Sequence, residues 1–123
     1  MQDIERIPSE LPLPFSKAVR AGGFIYLSGQ IPMGDDGKPQ RGSIEQQTGA
    51  VLERIAATLD ALGSGLEDVV RVTVWLSDLA LFASFNAVYG SYFKAPHLPV
   101  RSTVQAKLAF DVDVEIEVTA YKP

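Results

Sequence analysis

The sequence predicts an α+β fold in which one β-sheet has two helices packed on one of its faces. Apolar residues recur at helical spacing in two segments of the 123-residue chain. Before, between and after those segments, apolar and polar residues alternate with the period of two that is typical of strands. The predicted order is therefore strands, helix, strand, helix, strands, and we expect a single domain spanning residues 1–123.

The N-terminal part of the chain predicts short strands separated by loops and tight turns. Residues 4–7 form a candidate edge strand, and the prolines within residues 8–14 exclude a helix interior or a central strand there. Residues 17–21 and 24–31 predict a hairpin around the turn Gly22-Gly23.

Two segments predict amphipathic helices. The first runs from Ser43 to Leu62, begins with a capping box that includes Gln46, and ends at Gly63. The second ends before Pro96, because the residue preceding a proline disfavours helical geometry. Their apolar stripes comprise Ile44, Thr48, Val51, Leu52, Ile55, Leu59 and Leu62 in the first helix, and Leu81, Phe82, Phe85, Val88, Tyr89, Tyr92 and Phe93 in the second.

The last quarter of the chain predicts an antiparallel hairpin. Residues 100–109 and 112–120 alternate between apolar and polar side chains, and pairing their apolar faces requires a three-residue loop that ends at Val112. In this register Arg101 and Glu115 lie roughly 20 Å apart along the strands. We therefore expect these two side chains of one chain not to touch.

The sheet face that points away from the helices is predicted to be neither a core nor an ordinary wet surface. The β-branched segment 69–76 predicts a central strand whose core face comprises Val70, Val72, Val74 and Leu76. The opposite sheet face is predicted to contain Arg71, Thr73, Trp75, Arg101, Thr103, Gln105, Lys107, Glu115 and Glu117. We expect this face to pack against copies of itself in a ring of subunits.

Composition excludes several classes of function. A net charge of −4 and a pI of about 4.9 argue against a nucleic-acid-binding protein, which requires a basic surface stripe. Without cysteine the chain has no disulfide, thiol nucleophile or thiolate metal site. The first six residues include charges where a signal peptide is apolar, and no window approaches the ~18 apolar residues of a membrane span. We therefore expect a soluble cytoplasmic protein that binds neither nucleic acid nor membrane.

Arg101 and Glu115 are candidate functional residues, and each also has a purely structural interpretation. Arg101, at the start of a predicted strand, could bind a carboxylate through both guanidinium nitrogens or form an ordinary ion pair. Glu115 could be a base whose pKa burial raises, or it could pair with Lys107 across the hairpin.

Other polar positions offer weaker signals. The strand end Ser28-Gly29 leaves the backbone open to close approach by a ligand or another chain. Asn86, on the flank of the second helical stripe, could either cap a loop or contact a ligand. His97, the only histidine, has no second ligand at metal-binding spacing, so we predict a loop residue and no metal site.

Several short motifs occur in order along nearly the whole chain. They are Pro14-Phe15-Ser16-Lys17-Ala18, Ser28-Gly29-Gln30-Ile31-Pro32, Gln46-Gln47-Thr48, Asp68-Val69-Val70, Phe85-Asn86-Ala87-Val88-Tyr89, Tyr92-Phe93, Pro99-Val100-Arg101-Ser102-Thr103-Val104 and Val114-Glu115-Ile116-Glu117. In these motifs the sequence resembles the RidA/YjgF family of enamine/imine deaminases.

The resemblance implies a chorismate-mutase-like α+β fold with a single mixed sheet, a homotrimer with a central barrel of sheets, and active sites between subunits. It also implies hydrolysis, without a cofactor, of 2-imino or 2-enamino acids such as 2-aminoacrylate and 2-iminopropanoate to 2-keto acids and ammonia. By position, Arg101 would bind the substrate carboxylate, and Glu115 would orient or activate water. Ser28 and Gly29 would supply contacts at the strand end, and Asn86 would line the pocket.

Two pocket positions depart from the family pattern. Phe15 stands where the family often has tyrosine, and Thr103 where it often has cysteine. Phe15 lacks a hydroxyl donor, whereas Thr103 retains a hydroxyl and removes a reactive thiol. Two other functions remain open: a non-catalytic module that binds a small carboxylate or a partner protein, and an endoribonuclease, which the net charge disfavours.

Overall fold

The computed structural model describes residues 3–123. Its regular elements are β1 (Glu5–Pro8), β2 (Ser16–Ala21), β3 (Phe24–Leu27), α1 (Ile44–Ala61), β4 (Val69–Leu76), α2 (Phe82–Tyr92), β5 (Val100–Gln105) and β6 (Val114–Tyr121). The strands form one sheet in the order β1-β2-β3-β6-β4-β5, in which only the β4–β5 pair is parallel. Both helices cover one face, which confirms the predicted mixed α+β sheet. Within residues 3–123, no helix is long and apolar enough to cross a membrane.

The N-terminal strands follow the local sequence signals. β1 pairs with β2 at the edge of the sheet, and β2 and β3 form the predicted hairpin. Gly22 and Gly23 adopt φ values of +58° and +86°, a left-handed turn that glycine tolerates without steric cost. Our prediction that β3 continues to Ile31 is wrong. The strand ends at Leu27, and beyond it Gln30 forms an isolated bridge with Ile116.

The two helices pack their apolar side chains against one face of the sheet. Ser43 caps α1 by accepting a hydrogen bond from the Gln46 backbone N–H, and the Gln46 side chain accepts one from the Ser43 N–H. α2 begins at Phe82, after a 3₁₀ turn whose first residues Asp78 caps. The predicted stripe of α1 is buried from Ile44 to Leu59, whereas Leu62 at its end is only partly buried. Phe85 and Tyr89 of α2 pack into the same core.

A β-bulge at the start of β4 corrects one predicted face. Val69 pairs with Ala120 and is 4% exposed, whereas Val70 is 43% exposed. The register then shifts before Arg71, and Val72 returns to the core. An uninterrupted alternation predicted Val70 in the core, and the extra residue of the bulge reverses its direction.

The predicted C-terminal hairpin is wrong. β5 pairs in parallel with β4, and β4 lies between β5 and β6. Residues 106–113 therefore pass around the end of β4 instead of making a tight turn. Phe110 and Asp111 adopt left-handed φ values of +61° and +55° in this connection. The apolar strand β4 is central in this part of the sheet and has a hydrogen-bonded neighbour on each side.

The parallel register also reverses the predicted faces of β5. Arg101, Thr103 and Gln105 pair with Val72, Val74 and Leu76, respectively. Since paired residues share a sheet face, these three polar residues of β5 lie on the helix face and not on the open face. Alternation identifies the two faces of an isolated strand, but it cannot say which face the helices cover.

Candidate active site

Arg101 lies on the helix face of β5 against three aromatic rings of α2. Its guanidinium carbon is 4.7 Å from the centroid of the Tyr89 ring and 5.5 Å from those of Phe82 and Phe85. Distances under about 6 Å allow cation–π attraction, which fixes the cation over the rings. None of the ion pairs found within residues 3–123 includes Arg101. The guanidinium is therefore held in place while its charge stays available to an anion.

Unpaired polar atoms surround this arginine. Asn86 Oδ1, the Tyr89 hydroxyl and the Thr103 hydroxyl are buried without a hydrogen-bond partner in residues 3–123. Asn86 and Tyr89 are three residues apart on α2, and Thr103 is two residues beyond Arg101 on the same face of β5. Buried polar groups without partners are uncommon and indicate a place for water or a ligand. We call Arg101, Asn86, Tyr89 and Thr103 the arginine cluster.

The environment of Tyr89 keeps its hydroxyl protonated. Burial raises the pKa of Tyr89, and the nearby charge of Arg101 only partly opposes that effect. A neutral phenol can donate one hydrogen bond and accept others. The hydroxyl is therefore available as a donor at neutral pH.

Glu115 belongs to a second group of residues on the open face of the sheet. It pairs with Trp75, between the buried residues Val114 and Ile116 of β6. Burial raises the pKa of Glu115, and the neighbouring Glu117 carboxylate raises it further. A raised pKa makes the Glu115 carboxylate a stronger base than an ordinary glutamate, as general base catalysis requires.

Gly29 lies directly against the Glu115 carboxylate. A methyl group added at Gly29 would overlap Glu115 Oε2 and come within 3.1 Å of Cδ. The segment that contains Gly29 is fixed by its neighbours. The Ser28 hydroxyl donates to the Ser16 carbonyl at 2.6 Å, and the Gln30 side chain donates to the Ser28 carbonyl at 3.0 Å. We call Glu115, Ser28 and Gly29 the carboxylate cluster.

The remaining predicted residue of the site, Phe15, lies beside the carboxylate cluster along the chain. It directly precedes Ser16 and is 51% exposed, at the end of a loop that also exposes Leu11 and Leu13. About half of this aromatic side chain is therefore left uncovered within one chain. It can contact a ligand or another subunit.

The arginine and carboxylate clusters do not meet within one chain. Arg101 pairs with Val72 of β4, and Glu115 pairs with Trp75 of the same strand. Because Val72 and Trp75 are three positions apart, an odd number, the Arg101 and Glu115 side chains point to opposite faces of the sheet. Two strand spacings, about 10 Å, also separate them across the sheet. The separation of Arg101 and Glu115 was predicted, but the predicted reason was wrong. Trp75, and not Lys107, lies opposite Glu115, and the sheet itself lies between the two clusters.

Sequence reasoning missed the aromatic rings beneath Arg101. Phe82, Phe85 and Tyr89 were recognised only as parts of an apolar helical stripe. No local sequence signal identifies them, because Arg101 lies under α2 only through the parallel β4–β5 pairing. Two other predicted features lie apart from both clusters. His97 is exposed in a loop, and no three His, Asp or Glu side chains of residues 3–123 are grouped as a metal site requires.

The fold and its two polar clusters define a small α+β protein with an exposed sheet face and an arginine that has no acidic partner within residues 3–123. Comparison with known proteins identifies its family. The sequence model described as Endoribonuclease L-PSP matches residues 8–122. The chain belongs to this family, which is the RidA/YjgF family.

Three relatives illustrate the similarity. A RutC family protein of Pyrococcus horikoshii is 45% identical over 111 residues, which cover 89% of this chain and 87% of the relative. Reactive Intermediate Deaminase A, chloroplastic, of Arabidopsis thaliana is 39% identical over 118 residues, covering 94% of this chain and 62% of the relative. The crystal structure of yeast Mmf1 superposes with a TM-score of 0.88 at 36% identity, covering 98% of this chain and 100% of that one. The Saccharomyces cerevisiae protein MMF1 is named as mitochondrial.

Proposed function

We propose that this protein hydrolyses 2-imino acids and their enamine tautomers to 2-keto acids and ammonia. The observation that supports this most directly is Arg101, a half-buried arginine held on aromatic rings with no acidic partner within residues 3–123. A guanidinium so placed can bind a carboxylate in bidentate fashion. One relative, from Arabidopsis thaliana, is named a reactive intermediate deaminase.

The proposed reaction requires positioning and proton transfer, and the chain's own residues suffice for both. Arg101 fixes the substrate carboxylate, and a water molecule adds its oxygen to the C=N carbon. Glu115 takes one proton from that water and gives it to the nitrogen, which forms a carbinolamine, C(OH)NH2. It then carries the hydroxyl proton to the same nitrogen, so that the C–N bond breaks, NH3 leaves and the C=O bond forms. General acid–base help of this kind contributes about 10²- to 10⁴-fold. Burial and Glu117 raise the pKa of Glu115, which makes its carboxylate a stronger base toward the water.

We propose that each active site combines the arginine cluster of one subunit with the carboxylate cluster of the next, in a homotrimer. The opposite orientations of Arg101 and Glu115 support this arrangement, because one chain cannot bring them together. The open face also exposes apolar side chains: Tyr26 is 44%, Val100 59% and Val104 42% exposed. Exposed apolar side chains on the same sheet face as Glu115 fit a face that another subunit covers.

The position of Phe15 and Thr103 bears on the substrate. Thr103 is buried in the arginine cluster and offers a hydroxyl without a partner in residues 3–123. Phe15 is an exposed ring that a neighbouring subunit's site could use to contact the substrate side chain. We propose that both contribute to the shape of the pocket. A panel of imines with small, aromatic and basic side chains would measure that contribution.

Endoribonuclease activity is the other function to test, because the matching family model is described by that name. The net charge of −4 opposes binding to a phosphate backbone. If RNA cleavage survives purification and disappears in Glu115→Gln, it belongs to this site. A non-catalytic binding module would instead bind 2-keto acids equally well with glutamate or with glutamine at position 115. A cytoplasmic location remains a prediction.

The decisive experiment uses imines generated by an amino-acid oxidase, with semicarbazide capturing the imine that the protein leaves unhydrolysed. Arg101→Ala should abolish acceleration of hydrolysis without changing the oligomeric state. Arg101→Lys should retain only part of it, because lysine keeps the charge but lacks the bidentate fork. Arg6→Ala, at an exposed position of β1, is the matched control. Wild-type turnover in Arg101→Ala would exclude the proposed function.

A further inference from the structure

The Tyr89 side chain has a hydroxyl that the proposed reaction does not use. Tyr89 is 7% exposed, and its ring packs 5.5 Å from Phe85 and 4.7 Å from Phe93, measured between ring centroids. The hydroxyl is buried, and its proton has no acceptor within residues 3–123, because the Arg101 guanidinium that faces it is itself a donor. Leaving such a donor without an acceptor destabilises the fold, and a phenylalanine at this position would avoid that destabilisation.

A neighbouring tyrosine on the same helix provides a direct contrast. Tyr92 is only three residues away, and its hydroxyl donates to Glu53 Oε1 at 2.8 Å. Its hydrogen bond is therefore satisfied by the chain itself. Of these two tyrosines, only Tyr89 keeps a buried donor for another molecule.

Arg101 lies beside the ring that carries this donor. The guanidinium carbon is 4.7 Å from the Tyr89 ring centroid, closer than to either phenylalanine ring. A carboxylate bound by Arg101 brings two oxygens, with about four lone-pair sites, into the neighbourhood of this ring. A bidentate arginine occupies two of these sites, so the carboxylate can accept a further hydrogen bond.

We propose that the Tyr89 hydroxyl is a second ligand of the substrate carboxylate, donating a hydrogen bond to it while Arg101 grips it in bidentate fashion. The inference rests on the proposed function, because it assumes that Arg101 binds a carboxylate. Tyr89 then has two roles: its ring supports the arginine, and its hydroxyl recognises the anion. Asn86 and Thr103 remain free for other substrate atoms.

The test separates the hydroxyl from the ring. Pyruvate, the keto acid formed from 2-iminopropanoate, and methyl pyruvate, its uncharged ester, serve as probes in calorimetric titration. Tyr89→Phe keeps the ring and should weaken pyruvate binding about tenfold, the value of a hydrogen bond to a charged group. Methyl pyruvate lacks the carboxylate and should bind much more weakly than pyruvate. Tyr89→Phe should not change the affinity for methyl pyruvate. Tyr92→Phe is the matched control and should bind pyruvate like the wild type.

Kinetics supply a second readout. Tyr89→Phe should raise KM for the imine with little change in kcat, because the carboxylate is bound alike in the ground and transition states. Tyr89→Leu also removes the ring beneath Arg101 and should lose more affinity than Tyr89→Phe. Melting temperatures establish that each variant is folded.

The possible failures are distinguishable. If Arg101→Ala abolishes pyruvate binding but Tyr89→Phe binds it like the wild type, the role of the hydroxyl is refuted and the proposed function stands. If Tyr89→Phe weakens pyruvate and methyl pyruvate equally, the hydroxyl shapes the pocket without recognising the anion, and the inference is again refuted. If Arg101→Ala binds pyruvate normally, the proposed function itself fails.

Discussion

Replacing Gly29 by alanine tests the packing of the carboxylate cluster. The new methyl group would overlap Glu115 Oε2 and lie 3.1 Å from Cδ. Since unstrained carbon contacts are about 3.5–4.0 Å, Cδ must withdraw by at least ~0.4 Å, and the overlapping oxygen by on the order of 1 Å. The backbone at Gly29 is not in the left-handed region, and the obstructing atoms end a flexible side chain. The fold should therefore tolerate alanine.

The expected result is a selective loss of activity. A displacement on the order of 1 Å can lower a rate about 100-fold, so kcat/KM for imine hydrolysis should fall about 10- to 100-fold while the melting temperature changes little. Gly90→Ala, with no atom within 4 Å of the new methyl group, is the matched control and should keep full activity. The shorter side chain of Glu115→Asp leaves room for the methyl group, so Gly29→Ala should cost much less activity in that background. An equal loss in both backgrounds would refute the steric explanation.

Three further predictions concern proton binding and stability. Because burial and Glu117 raise the pKa of Glu115, ionising Glu115 destabilises the folded protein, so Glu115→Gln should raise the melting temperature at pH 7 and not below about pH 4. If Glu115→Gln raised the melting temperature at every pH, the cause would instead be better packing of the glutamine. Glu117→Gln should move the acidic limb of the pH–rate profile to lower pH, because it removes a neighbour that raises the pKa of Glu115; an unmoved limb would mean that another group titrates there. Ser43→Ala should cost about 1 kcal/mol of unfolding free energy in chemical denaturation, because it removes the cap of α1, and an unchanged midpoint would contradict this.

The parts of the fold that depend on local sequence could be predicted. The capping box at Ser43, the α1 stripe and the turn at Gly22-Gly23 all have neighbours close in the chain, and all are found where expected. The prediction of a C-terminal hairpin is wrong because the observed partner of β5 is distant in the sequence. Strand β5 pairs with β4, more than 20 residues earlier in the chain, and alternation contains no information about that partner.

The candidate site illustrates the same limit. The family pattern identified Arg101, Glu115 and Asn86, but the face of the sheet on which each lies depends on pairing that the sequence does not encode locally. Because β5 pairs with β4 in parallel, Arg101 lies on the helix face beneath α2, where it contacts the Tyr89 ring. An apolar helical stripe predicts burial of Tyr89, but it cannot predict that the hydroxyl lacks a partner.

Subunit complementation tests the shared active site most directly. Arg101→Ala and Glu115→Gln proteins, each inactive alone, are unfolded together and refolded as a mixture. If each site takes Arg101 from one subunit and Glu115 from the next, random assembly restores both residues in about a quarter of the sites. We predict recovery of about a quarter of wild-type activity in the equimolar mixture. No recovery, with mixed oligomers demonstrated by mass spectrometry, would contradict a site built from two chains.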